Sequence, residues 1–509
     1  MLAITKSFGL NGLDGYAVSV EIDLHHSLPG FSLVGLGDTA VKESHERVRS
    51  AIKNSCFSYP ALKVVANLAP ADVKKEGTHF DLPIAIGILS ASEQLDYNTF
   101  QDTVMLGELS LDGSLRAVNG MLPLLISMAQ QGVKKVVIPK ENEAEASYVK
   151  GLEIYALETL RDVVSFFKGE AEFKPVEQKE WTNIQSEESP YDIKYIKGQV
   201  VAKRAMEIAV AGGHNILLIG PPGSGKTMLA KSVLSILPDM SFEEALEVAK
   251  IHSIAGVLDK KDGIVNTRPF RSPHHTASYV ALTGGGSNAK PGEISLAHNG
   301  VLFLDEMPEY SRHTLETLRQ PLEDKVITIA RSNKTVTYPA NFMLIASMNP
   351  CPCGNYGSTT KECRCTATQI HNYLNKLSGP LMDRIDLHVE VDSVSYGELV
   401  SEGQSEDSAT VKSRIDKARK IQQQRFAGQS IFSNAQMSAK ATKEFCKLDK
   451  KGIQLMESAF EKLQLSARAR DRILRVARTI ADLDGEQNIL PKHLAEAVQY
   501  RSLDRKYRV

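Results

Sequence analysis

The spacing of apolar positions changes character along this chain. Over residues 1–168 the apolar residues fall in short β-like runs broken by glycines, which predicts strands joined by tight turns. Residues 169–190 are polar, acidic and nearly free of aliphatic side chains, which predicts a linker. Across residues 191–392 continuous apolar runs such as NILLIG and VLFLDE alternate with stretches of helical period, the pattern of a parallel α/β sheet. From 393 to 509 the pattern is helical, in TVKSRIDKARKIQQQRFAG, LMESAFEKLQL, DRILRVARTIADL and PKHLAEAVQYRSL. The last of these opens with Pro491, whose missing N–H costs nothing in a first helical turn. No fixed-period repeat and no low-complexity tract interrupts this order.

Composition narrows the class. A chain of 509 residues has room for about three domains at roughly 150 residues each. Apolar residues at 42% and charged residues at 24% are ordinary for a packed core. Sixty Lys and Arg against 61 Asp and Glu give a net charge of −1. That excludes a generally basic nucleic-acid coat and a polyanionic tail, and leaves room for a basic surface confined to one channel. The opening MLAITKSFGLNG has neither the basic start nor the long apolar stretch of a signal peptide. The longest apolar runs lie around 82–92 and 120–129, well short of the ~18 residues that span a bilayer. Six cysteines in this length are no disulfide scaffold. The expectation is a cytoplasmic protein with no membrane partner.

Chemistry enters at GPPGSGKT, residues 220–227, a full match to G-x-x-x-x-G-K-[ST] with an apolar β-like run before it and a helical pattern after it. Gly220, Gly223 and Gly225 let the backbone turn tightly, so that the N–H groups of this loop, through Pro221, Pro222 and Ser224, surround phosphate oxygens. The following helix adds the positive end of its dipole. Lys226 brings a point charge to the β/γ-phosphates, and Thr227 offers a hydroxyl to Mg²⁺. A second site follows at GVLFLDE, a buried strand ending in two acids. There Asp305 would hold the metal through water and Glu306 would polarise the attacking water. A third strand, NFMLIASMNP, ends in Asn349, whose amide can bond the γ-phosphate and that water. Together these predict an ATPase that uses ATP and Mg²⁺.

The run RPFRSPHHTASYVALTGGGSNAKPGEISLAHNGVLFLDEMPEY resembles the AAA+ core of magnesium-chelatase-type ATPases, relatives of MCM helicases with an insertion before the acidic strand, here GVLFLDE. SGPLMDRIDLHVEV is similar to the segment that carries the arginine finger in that clade, matched here by Arg384. LSARARDRILRVARTIADL resembles the lid helix with a sensor arginine, matched by Arg468. By residue type alone Arg470, Arg472, Arg475 and Arg478 are equal candidates, and the family motif chooses among them. ITIARSNKTVTYPANFMLIASMNP resembles the hairpin before the first sensor, with Asn349 as that sensor. The likeness spans the chain and is nearest to the ComM/YifB family of magnesium-chelatase-like AAA+ proteins. It implies a homo-oligomeric ring, expected to be a hexamer, in which a neighbouring subunit supplies Arg384.

Residues 1–168 resemble the ribosomal-protein-S5-like fold of Lon protease domains, in VANLAPADVKKEGTHFDLPIAIGIL and LGELSLDGSLRAVNGMLPLLISMAQQGVKKVVIPKENEAEA. Proteolysis there needs a serine nucleophile and a lysine base. The matching positions hold Phe80 and Leu122, so the resemblance implies a non-proteolytic module with Lys74, Lys75, Lys134 and Lys135 on its surface. The domain reading is therefore a Lon-like domain over 1–168, a linker over 169–190, an AAA+ core over 191–392 and a helical lid over 393–509.

Two further features remain. Cys351, Cys353, Cys363 and Cys365 form two C-x-C pairs nine residues apart, which could close one tetrahedral Zn²⁺ site. Free thiols ordering a loop are the alternative, and a disulfide is disfavoured in a reducing compartment. His274 and His275 have no acidic or cysteine ligand set beside them in sequence, and read as structural or DNA-facing. At 326–338, V-I-T-I-A and T-V-T-Y flank a polar tip that puts Arg331 and Lys334 within reach of phosphates in a ring pore. The resemblance implies an ATP-driven branch-migration helicase acting on branched or single-stranded DNA in recombination and natural transformation. The alternatives are a chelatase motor inserting Mg²⁺ into a porphyrin, and a remodeller of protein substrates.

Overall fold

The computed structural model describes residues 2–182, 191–286, 289–331, 334–357, 361–394, 397, 406–429 and 431–503. The chain opens with a long antiparallel hairpin of β1 (Leu2–Asn11) and β2 (Asp14–His25), paired from Leu2↔Asp23 to Asn11↔Asp14. Alternation sets its faces, with Ala3, Thr5 and Ser7 turned inward. Five more strands follow: β3 (Gly30–Val34), β4 (Lys63–Ala69), β5 (Thr103–Met105), β6 (Lys135–Pro139) and β7 (Glu153–Leu157). They join the hairpin in a seven-stranded mixed sheet ordered β3-β4-β2-β1-β5-β6-β7. The two longest apolar runs become helices, α1 (Asp81–Ala91) and α2 (Met121–Gln130). Every residue of α1 but Ser90 is buried, which is why its sequence is apolar all round rather than on one stripe.

The second sheet contains β8 (Ile216–Ile219), β9 (Phe270–Arg271), β10 (Val301–Leu304), β13 (Met343–Met348) and β14 (Leu387–Glu390), with β11 (Val326–Arg331) and β12 (Lys334–Pro339) forming a separate hairpin. Its order is β9-β10-β13-β8-β14 and every pairing is parallel. Parallel strands buried on both faces need continuous apolar sequence, as ILLI, VLFL and MLIASM provide. One face packs on α3 (Val200–Gly212) and on the C-terminal helices α4 (Ser408–Arg425), α5 (Lys450–Leu463), α6 (Ala467–Leu483) and α7 (Pro491–Gln499). Met206, Ala209 and Val210 of α3 share this core with Ile473, Ala477 and Ile480 of α6. The other face packs on the β11–β12 hairpin through Ile327, Ile329, Val336 and Tyr338.

The two sheets are joined by apolar contact. Leu122, Leu125 and Met128 of α2 pack on Ala245, Val248 and Ala249 of the helix Phe242–Ala255. Ser253 of that helix donates a 2.8 Å hydrogen bond to the buried carboxylate of Glu145. The stretch read as a linker is tied down through Thr182: Val176 N bonds Ile154 O at 2.7 Å, Lys179 N bonds Ser147 O at 3.0 Å, and Trp181 lies 6.1 Å from the Phe242 ring. Its sparse apolar side chains act as separate anchors, which a composition average does not register. Residues 183–190 lie outside the described residues.

The four lysines expected on the surface divide. Lys74 and Lys134 are exposed. Lys75 is wholly buried (0% exposed), and its Nζ has no hydrogen-bond partner among the described residues. Its backbone bridges Gly37 and bonds Leu36 O and Asp38 N, which turns the side chain inward, and burial pushes its amine below the usual lysine range. Lys135 is half-buried, with Nζ over the rings of Tyr155 and Phe166 at 5.2 and 5.1 Å. Phe80 and Leu122 both lie in the core. Among the described residues no helix is long and apolar enough to cross a membrane.

Candidate functional site

Three adjacent strands, β10, β13 and β8, end at the same edge of the second sheet, and each delivers part of one site. After β8 the chain turns through Gly223 (φ 79°) and Gly225 (φ 88°), conformations that L side chains rarely adopt, and enters the helix Lys226–Ser232. Gly220 is required by a close approach: a Cβ there would stand 2.1 Å from Val391 O. Lys226, 8% exposed, donates to Gly220 O and Pro221 O at 2.8 Å each, and to Asn349 Oδ1 at 3.2 Å. Burial pushes its ammonium below the usual lysine range, against the opposing charges of Asp305 and Glu306. The Ser224 hydroxyl is buried in the loop without a hydrogen-bond partner among the described residues.

At the end of β10, Thr227 Oγ1 donates to Asp305 Oδ2 at 2.8 Å. Ser347 of β13 donates to the other Asp305 oxygen and accepts from Glu306 N at 3.1 Å. Glu306 has left-handed backbone (φ 51°), and its side chain is 52% exposed, free of the bonds that hold Asp305. A hydroxyl and a carboxylate already within hydrogen-bond reach are hard oxygen donors of the kind Mg²⁺ takes. Asn349, at the end of β13, meets Lys226 as described above.

Two residues at this site carry no weight in the sequence reading. Ser347 orients both acids; its signal is a polar residue inside the otherwise apolar MLIASM, two positions before Asn349 and so on the same strand face. His275, read as structural or DNA-facing, stands with Nδ1 3.9 Å from Glu306 Oε2. The 268–276 segment that brings it there is held by the Tyr310 hydroxyl, which donates to Pro273 O at 2.6 Å.

The arginines lie elsewhere. Arg384, 8% exposed, donates to Pro380 O at 2.8 Å and pairs with Glu323, while its Nε is buried without a hydrogen-bond partner among the described residues. Arg384 and Arg468 line one cavity of about 870 Å³ with Glu323, Asp383 and Asp386, and no residue of 220–227 lines it. Along α6, Arg472 bonds Asp386 at 2.6 Å, Arg475 bonds Ala435 O at 3.1 Å, and Arg478 bonds Asp482 at 3.1 Å. Burial opposes ionisation of Asp386, but Arg472 and His214 overcome it and hold its carboxyl well below the usual carboxylate range. Arg468 is exposed at the cavity wall.

Cys351, Cys353, Cys363 and Cys365 come together, with their sulfurs all within 4.8 Å of one another. Arg331 and Lys334 face each other as the last described pair of the β11–β12 ladder; the tip, Ser332 and Asn333, lies outside the described residues.

The chain matches three family models: "Magnesium chelatase, subunit ChlI" over residues 192–399, "Subunit ChlI of Mg-chelatase" over 20–142, and "Magnesium chelatase, subunit ChlI C-terminal" over 405–501. It is 47% identical to the competence protein ComM of Haemophilus influenzae, over 99% of this chain and 98% of that protein. It is 45% identical to the protein YifB of Escherichia coli, again over 99% of this chain and 98% of the relative. A shorter likeness, 32% identity over 96 residues, joins 19% of the chain to 17% of Lon protease 2 of Bacillus subtilis. The chain belongs to the ComM/YifB family of magnesium-chelatase-like ATPases.

Proposed function

We propose that the protein is an ATP-hydrolysing ring motor acting on DNA, a branch-migration helicase of recombination and natural transformation. It is built from a non-proteolytic Lon-like domain (1–168), an AAA+ core (191–392) and a helical lid (393–509). In this reading the loop amides and Lys226 bind the phosphates of ATP. Thr227 and Asp305 would hold Mg²⁺, which when bound neutralises phosphate charge. Glu306, half exposed beside His275, accepts the proton of the attacking water, and Asn349 orients that water against the γ-phosphate.

The observation that carries the reading is the division of the site. Arg384 and Arg468 share a cavity that no P-loop residue lines. A P-loop site needs cationic help for the charge of the transition state, and in a closed ring a second copy of the chain presents it across the interface. Arg472, Arg475 and Arg478 are spent on internal bonds, and of the two exposed arginines, Arg468 and Arg470, Arg468 is the one that lines the cavity with Arg384, which favours it as the lid arginine for that role. DNA contact is assigned to Arg331 and Lys334 at the end of the hairpin.

A second reading, a chelatase motor acting on a porphyrin, is favoured by the descriptions of the three family models. One experiment separates them: ATPase rate and oligomeric mass with a Holliday junction, with porphyrin plus Mg²⁺, and with unfolded protein. The DNA reading expects a hexameric mass and stimulation by the junction alone. Stimulation by porphyrin or by unfolded protein, without a response to DNA, would overturn it.

A further inference from the structure

The four clustered cysteines form a group of metal-ligand geometry. Cys351, Cys353 and Cys363 have Sγ separations of 3.4, 3.7 and 3.7 Å, and all four sulfurs lie within 4.8 Å of one another. A tetrahedron of thiolates at the usual Zn–S length has edges of about 3.8 Å. The same spacing is far outside a disulfide bond of about 2.05 Å, and too tight to embrace an iron–sulfur cluster rather than one ion. Thiols serving as core filler are buried, as Cys446 is, whereas Cys353, Cys363 and Cys365 are partly exposed. The amide of Tyr356 donates to Cys351 Sγ at 3.3 Å, a bond that offsets the negative charge of a metal-bound thiolate.

The position of this group matters as much as its chemistry. Cys351 stands two residues after Asn349, whose amide receives the Lys226 hydrogen bond. Gly354 takes φ 79° and lies so close to the P-loop that a Cβ there would stand 2.3 Å from Pro222 Cδ. The cysteine loop therefore touches the phosphate loop on one side and continues the sensor strand on the other. We propose that the four cysteines hold one Zn²⁺ that fixes Asn349 and the P-loop relative to each other, a positioning site for ATP hydrolysis. The coupling half of this proposal rests on the ATPase reading; the metal half does not.

The test begins with metal analysis of full-length, tag-free protein purified without added metal or chelator. About one zinc per chain is expected, lost in Cys353→Ser and retained in Cys365→His, whose imidazole is also a zinc ligand. Replacement by Co²⁺ should give the intense visible absorption of a tetrahedral thiolate site. Absence of stoichiometric metal, or iron in its place, overturns the zinc assignment. Coupling is read from Gly354→Ala, which keeps every cysteine. That variant should retain its zinc while turnover falls roughly ten- to a hundredfold, because misplacement of catalytic groups by about 1 Å has that scale of effect. Wild-type turnover in Gly354→Ala, and in protein stripped of zinc that still melts cooperatively, overturns the coupling. Stoichiometric zinc in a wild-type protein without ATPase activity supports the metal site and sinks the motor reading instead.

Discussion

At the residue scale, Lys226 donates to two carbonyl oxygens of its own loop and to Asn349, which holds its ammonium at the centre of the proposed nucleotide site. Lys226→Ala removes a charge-assisted contact of about 2 kcal/mol, and affinity for a fluorescent ATP analogue should fall roughly thirtyfold or more. Asp305 and Glu306 are neighbours with opposite circumstances. Asp305 is bonded by Thr227 and Ser347, whereas Glu306 projects from a left-handed residue toward solvent. Glu306→Gln should bind the analogue normally and lose roughly 10²–10⁴ in turnover. Near-normal turnover in that variant would remove Glu306 from the role of base.

At the scale of elements, the helix Ala467–Leu483 is welded to the sheet by a buried ion pair. Asp386 precedes β14 and meets Arg472 at 2.6 Å and His214 at 3.3 Å. Asp386→Ala strands both partners and should cost about 3–5 kcal/mol of stability, read as a large drop in Tm. The pH dependence follows from the sign of the shift. The folded pKa of Asp386 lies below its ordinary value of 3.8, so its stabilisation is present above pH 3.8 and is lost as pH falls below it. The Tm gap between wild type and Asp386→Ala should therefore narrow only in strong acid. The β11–β12 hairpin is the other element with a separable task. Its apolar face is in the core, and Arg331 and Lys334 form its outermost described pair. Replacing both by Ala should weaken binding to all DNA sequences, reduce the slope of log K against log salt by about one per lost phosphate contact, and abolish stimulation by DNA while basal ATPase survives. Wild-type DNA binding in the double variant would take the hairpin out of the mechanism.

At the scale of the whole molecule, the proposed catalytic set divides between the strand ends around Lys226 and a cavity that no residue of 220–227 lines. If the neighbour supplies Arg384, mixing Arg384→Ala with Lys226→Ala subunits restores interfaces that carry one intact P-loop and one intact finger. Partial ATPase activity should return in such mixtures. Mixtures no more active than either parent, in rings shown to exchange subunits, would assign Arg384 to its own chain's fold through Glu323. The first hairpin adds a long-range tie: a Cβ at Gly12, in its turn, would stand 2.8 Å from Val336 of β12. The N-terminal sheet thus braces the element assigned to DNA.

What the amino-acid sequence determines by itself is local. The 220–227 loop, the acid pair and Asn349, which the proposed function joins into one nucleotide site, are legible because each is a contiguous motif whose geometry is made by its own backbone turn and strand end. The alternation of continuous apolar runs with helical periods likewise reports a parallel sheet, since strands buried on both faces have no polar side to show. Tertiary structure decides what depends on residues far apart in the chain. Lys74 and Lys75 are identical neighbours in sequence, and a bridge to Gly37 buries one of them. Arg468, Arg470, Arg472, Arg475 and Arg478 share one helix, and only partners from other segments, Asp386 and Ala435 among them, separate the arginines that weld the fold from exposed Arg468. Ser347 and His275 become site residues because parallel pairing of β10 with β13 and of β9 with β10 sets their segments beside the acids. Such pairings are written in the packing of apolar faces, which fixes distances that no spacing along the chain encodes.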